Sequence, residues 1–306
     1  MTKRIYLLLI ILLSIAPRSY AQYSQAVYGG ADDTSPDAVY RLISRSYTLN
    51  PDGTQDIRIR KELTILRNRA LVAYADKGET FIQYNPAIDE LTINESYTLL
   101  PDGSKVTTPR NAFVNQLPSG CENCGRYNGI REMAVVHTGM EYGATIVLDY
   151  TIHRQSPVIE DFIIIAQDCP VENYEVSFNV PNLRYHAEGE RATTESSTNE
   201  IAFFFFTVAQ TLNDPYLPEP TAIYPYIVFS NQEHAALHAN PDSTYISDAE
   251  DLIATCHNDD PLLMAAALRD YVVDYVITNN IHPALLSYQS ADPLTTWRSN
   301  CGTSLD

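Results

Sequence analysis

The sequence predicts a mainly β protein: an antiparallel β-sandwich followed by a small α-helical segment. Three observations point there. Apolar residues alternate with period two over many short stretches, two of those stretches lead into Pro-Asp-Gly turns, and helix-type signals are confined to the region beyond about residue 220.

The N-terminus is read first as a leader. Thr2, Lys3 and Arg4 precede an apolar run from Ile5 to Ala16, and Ser19-Tyr20-Ala21 supplies a small-x-small cleavage site before Gln22. The run is shorter than the ~20 residues that cross a bilayer, so residues 1–21 are expected to be a secretory signal peptide, with no membrane span after its removal. No cysteine lies beside the cleavage site, which disfavours a lipid anchor. The expected location is periplasmic or secreted, and residues 22–34 are read as a linker. The formal net charge is −18, and it becomes more negative once Lys3, Arg4 and Arg18 leave with the leader. That excess disfavours nucleic acid or anionic lipid as a partner.

From Ser35 the chain reads as strands. Leu42 to Leu49, the turn Pro51-Asp52-Gly53-Thr54, and Ile57, Ile59, Leu63 and Ile65 on alternate positions form a hairpin with one buried face. Leu91, Ile93, Tyr97 and Leu99 lead into Pro101-Asp102-Gly103-Ser104, the same turn chemistry. Further strands are expected at Arg131 to Val136, Thr145 to His153, Phe162 to Ala166, Tyr174 to Val180 and Ile201 to Val208. The aromatic run Phe203 to Phe206 suits a central strand covered on both faces. Pro215, Pro218, Pro220 and Pro225 then mark a linker, so a sandwich domain is expected over 35–220.

Helices follow. Ser247 and Glu250 form a capping box, and Asp260 with Pro261 opens a longer helix to about Ile277, carrying Leu268, Tyr271, Val272, Tyr275 and Val276 on one face. An apolar face left uncovered there would favour dimerisation through the helix.

Taken together, Thr108-Pro109-Arg110-Asn111-Ala112, Leu117-Pro118, Arg131 to His137 and Glu141-Tyr142-Gly143-Ala144 resemble a bacterial domain of unknown function. That domain precedes transglutaminase-like cores in exported proteins. The helix after Asp260 and the segment Trp297-Arg298-Ser299-Asn300-Cys301-Gly302-Thr303 resemble the opening of such a core, so 221–306 is read as its incomplete N-terminal part. The resemblance implies a cysteine protease or amide-transferring enzyme acting on protein or peptide. A cysteine thiolate attacks the carbonyl, a histidine serves as base and an aspartate orients it. Cys301 is the candidate nucleophile. The family pattern has glycine two residues before the cysteine, and matching Gly302 to that glycine puts Ser304 in the nucleophile position instead. The family's histidine and aspartate follow the cysteine, and this sequence ends at Asp306. The expectation is therefore a truncated core that is not catalytic as it stands. The alternative is a noncatalytic envelope module that binds protein or glycan.

Other motifs weigh less. Cys121-Glu122-Asn123-Cys124 is best read as a local disulfide staple, ahead of free thiols or half a metal site. Cys256-His257 with Asp259 and Asp260 reads as a helix end, His137 as a structural histidine, His234 and His238 as coincidental spacing, and Glu188 and Glu190 as a solvated hairpin tip. No glycine-rich phosphate loop or Ser/His/Asp signature is present, and no cofactor is implied.

Overall fold

Two turns set up the largest sheet. In a computed structural model that describes residues 36–72, 77–195, 199–208, 220–232, 260–289, 291 and 293–303, Asp52 Oδ1 accepts from Thr54 N at 3.0 Å and Thr54 Oγ1 at 2.7 Å. Gly53 takes φ +84°, a conformation that a Cβ would penalise. Asp102 and Ser104 repeat the contact at 2.8 Å, around Gly103 at φ +86°.

The first turn joins β1 (Ala38–Leu49) to β2 (Gln55–Ile65). A helical turn α1 (Arg69–Val72) precedes β3 (Glu79–Tyr84), β4 (Asp89–Leu99), β5 (Lys105–Thr107), β6 (Phe113–Gln116), β7 (Arg131–Val136) and β8 (Thr145–Arg154). Then come β9 (Glu160–Ile164), β10 (Val171–Asn179), β11 (Arg184–Glu188), β12 (Ala192–Glu195), β13 (Glu200–Val208) and β14 (Tyr226–Ser230). The C-terminal region carries α2 (Pro261–Tyr275), β15 (Ile277–Thr278), α3 (Pro293–Ser299) and β16 (Cys301–Gly302).

The strands make a sandwich with one continuous layer and one divided layer. The continuous layer is an eight-stranded sheet in the order β12-β13-β10-β1-β2-β8-β4-β5. Two three-stranded sheets, β11-β14-β9 and β3-β7-β6, share its inner face. The first covers the β10 half through Phe178, Phe203, Phe205, Ile227 and Phe229. The second covers the β8 half through Ile59, Ile82, Val135, Leu148 and Ile152. Phe178 and Phe229 meet edge to face with centroids 4.7 Å apart, and Tyr47 stands 5.0 Å from Phe229. Such pairs add about 0.5–1.5 kcal/mol each beyond the area they bury.

The fold departs from the sequence reading in three ways. The sandwich is not wholly antiparallel, because β1 and β10 run parallel, with Tyr40 opposite Val171 and Thr48 opposite Asn179. The aromatic run of β13 alternates: Phe203 and Phe205 are buried, whereas Phe206 is 59% exposed. That strand lies next to the edge strand β12, with only one face covered. The strand β14, past the proline-rich stretch, hydrogen-bonds to both β9 and β11. The expected leader, the linker at 22–34 and the capping box at Ser247 lie outside the described residues.

α2 starts as its sequence dictates. Asp260 accepts from Leu262 N at 2.9 Å and Pro261 occupies the first turn, where its missing N–H costs nothing. Leu262, Leu263 and Val273 on this helix are each more than half exposed.

Candidate functional site

The segment that carries the expected nucleophile is docked onto the β region. Cys124 and Cys301 form a disulfide that spans 177 residues. Around it Cys121, Tyr127, Ile130, Ile281 and Leu285 are buried together. Arg126 Nη1 donates to Cys301 O at 3.2 Å and Thr296 Oγ1 at 3.3 Å. β15 and β16 pair in parallel, with Ile277 opposite Cys301.

This corrects the expected local staple between Cys121 and Cys124. Cys121 is buried and free, with its thiol pKa raised mainly by burial. The two sulfurs that meet are far apart in the described chain. While the bridge holds, the Cys301 sulfur is not a thiolate. Ser304, its alternative in the other register, lies outside the described residues, as do Cys256, His257, His234 and His238.

His137 directly follows β7 and is buried. Thr80 Oγ1 lies 3.0 Å from its Nε2, and Nδ1 has no hydrogen-bond partner. Burial, and then the Lys61 charge, lower its pKa to about 4, so it stays neutral near pH 7. Both residues line a small internal space with Tyr40, Lys77 and Glu79. Lys77 is bound by Asp168, whereas burial and the neighbouring Arg45 lower the Lys61 pKa to about 8. Cys169, also buried, has its thiol pushed up to about 12 by burial first and Asp168 second. These groups lack the activation that a nucleophile needs.

A larger space opens where the second layer divides. It measures about 170 Å³, between β3 on one side and β9 on the other. Its floor is the inner face of β1, β2 and β8, with Arg45, Ile57, Ile59, Tyr150 and Ile152. Its roof is the 3₁₀ turn Pro283–Leu286 and its neighbours His282 and Tyr288. The roof is pinned: His282 Nδ1 accepts from Ala284 N at 3.2 Å, which leaves Nε2 to donate to Asp161 Oδ1 at 3.0 Å. The Tyr288 hydroxyl donates to Glu160 O, and Asn85 Nδ2 donates to Leu285 O at 2.8 Å. At one end Arg154 and Asp89, both buried, form two hydrogen bonds of 2.6 and 3.0 Å.

Sequence reasoning passed over this cleft, although it held a signal. Arg45 stands between Ile43 and Tyr47 on the inward positions of β1, and Lys61 stands between Ile59 and Leu63 on those of β2. Cations on an otherwise apolar period-two face are costly unless something uses them. Among the described residues no group of three or more His, Cys, Asp and Glu is placed to hold a metal ion. No helix among them is long and apolar enough to cross a membrane.

The fold and the divided second layer define a β-sandwich domain with a docked α-helical extension. Residues 51–210 match the family model of a domain of unknown function with a solved structure, DUF3857, and the chain belongs to that family. A crystal structure of a suspected protease from Parabacteroides distasonis is similar over 88% of this chain, at 28% identity and a TM-score of 0.69. The present chain covers 56% of that protein's length. An M1 zinc metallopeptidase from Deinococcus radiodurans aligns over 63% of this chain and 42% of its own, at 8% identity and a TM-score of 0.29, too low to argue from. No curated protein matches the chain.

Proposed function

We propose that this chain is the β-rich N-terminal region of an exported transglutaminase-like protein, of cysteine-protease or amide-transferring type, and is not itself the catalyst. The observation that carries this reading is the likeness to the suspected protease over 88% of the chain, while the chain spans only 56% of that protein. The leader pattern at residues 1–21 and a disulfide across 177 residues support export to the periplasm or beyond, where thiols oxidise. In this reading the sandwich ends after β14, and the region from α2 onward opens the transglutaminase-like core. The substrate is then protein or peptide. The exposed apolar residues of α2 pack beneath the rest of that core or, without it, pair two copies of the chain.

The reading is tested in the source DNA beyond the Asp306 codon. An open frame that encodes a further histidine and aspartate is expected, and an immediate stop would overturn it. A second reading, a noncatalytic envelope module that binds protein or glycan, draws on the cleft at the divided layer. It predicts that the chain retains a ligand site with no core attached.

A further inference from the structure

Most charged side chains lining the cleft are spoken for. Arg154 is bound by Asp89, Asp161 by His282, and Glu160 accepts from Ser230 Oγ at 2.9 Å. Arg45 is different. Its Nε is buried without a hydrogen-bond partner, and among the described residues no carboxylate stands within ion-pair distance, the Asp161 charge acting on it from farther away. The hydroxyls of Tyr47 and Tyr174 lie beside its guanidinium and are its polar neighbours. A guanidinium stays charged under all physiological conditions and brings a planar fork of N–H donors. Burial holds the neighbouring tyrosines protonated: the Tyr150 pKa is pushed up to about 12 and those of Tyr47 and Tyr174 are raised. They therefore remain O–H donors. Beside them Ile57, Ile59 and Ile152 give the floor an apolar stretch.

We propose that this cleft is a binding site for a small carboxylic acid with an apolar body, its carboxylate received by Arg45 and its body lying on the isoleucines between the two halves of the divided layer. The chemistry follows from the donors. A fixed guanidinium fork matches a planar carboxylate, and it binds most strongly where water is thin. The acidic neighbours Asp161 and Glu160 disfavour a more highly charged anion such as a phosphate dianion. Size sets the body: about 170 Å³ is comparable to the ~150 Å³ apolar cavity that accepts benzene. A single ring or a branched aliphatic group fits. The site uses the β domain and the roof at 282–288, and it does not depend on a catalytic core.

The test uses the whole oxidised chain, with benzoate as the probe and benzamide as its uncharged counterpart, followed by calorimetry and by thermal unfolding. Benzoate is expected to bind and to raise Tm, and benzamide is not. In Arg45→Met, benzoate affinity is expected to fall about tenfold or more, as for the loss of a charge-assisted pair. The unliganded Tm of that variant should hold or rise, because a partly buried charge with no ion-pair partner has been removed. Should R45M fail to fold, Arg45→Lys serves, since it keeps the charge and loses the fork; weaker benzoate binding is again expected. Failure of benzoate to bind the folded wild-type chain, equal binding of benzamide, or undiminished benzoate binding in the folded variant would each overturn the proposal.

Discussion

Arg45 on the inner face of the eight-stranded sheet is treated differently from the arginines of the outer face. On the outer face Asp149, with no exposed side-chain surface, accepts from Arg58 at 2.6 and 3.0 Å, from Arg60 at 3.4 Å and from Asn94 at 2.8 Å. Burial acts to raise the Asp149 pKa, yet these donors hold it below the ordinary carboxylate value. Arg60 also reaches Glu62 and Glu95. On the inner face Arg45 has no carboxylate within ion-pair distance among the described residues. Outside, charge is balanced within the fold; inside, one charge is left for something the fold does not supply.

The sharpest contrast is between two inner-face arginines. Arg154→Met should leave Asp89 buried and unpaired and cost about 3–5 kcal/mol by urea denaturation. Arg45→Met should cost nothing. Equal losses would erase the distinction. Next in size, Cys301→Ala should lower stability by about 2–4 kcal/mol under oxidising conditions, and reductant should have little further effect on that variant. A loss near zero would mean that the roof is held by its polar contacts alone.

On the outer face, Asp149→Ala should cost about 2 kcal/mol, the scale of hydrogen bonds made to a charged group. It should leave benzoate binding unchanged, because Asp149 and Arg45 belong to opposite faces. The smallest effect concerns acid. His137 has a folded pKa near 4, below its unfolded value of 6.5, so between those values the unfolded chain binds more protons. Stability from this group is present above pH 6.5 and is lost as pH falls toward 4. The urea midpoint should therefore drop between pH 7 and pH 5 in the wild type and less so in His137→Gln; equal slopes would remove His137 as the cause.

Much of this architecture was legible in the residues. Both Pro-Asp-Gly turns close hairpins, β7 spans the residues expected, and Asp260 caps α2, because each depends on neighbours a few positions apart. The short strands β3, β6, β11 and β12 were not foreseen, since four to six residues with weak alternation gain their stability from the sheet they join. The bridge from Cys124 to Cys301 was not foreseen either: the sequence offered a cysteine three positions away, and only the docking of 281–301 brings the distant one closer. Arg45 was missed because the alternation it interrupts remains convincing without it. The catalytic expectation for Cys301 rested on likeness, and its sulfur is engaged in that bridge.

The parallel pairing of β1 with β10 governs when this molecule acquires its shape. The two strands are adjacent in the middle of the sheet, yet Arg41 meets Glu172 across 131 positions of chain. Nothing made early can stand in for β10, so the nascent chain must hold the β1–β2 hairpin with one long edge open until the later strand emerges. Such non-local closure belongs to the slower, millisecond-to-second range of domain folding. An unfilled edge during that wait is an invitation to other chains. A secretion route that delivers the polypeptide unfolded would place the wait after translocation, and a refolding experiment on the chain should show the β1 amides that face β10 protected from hydrogen exchange only when β10 is.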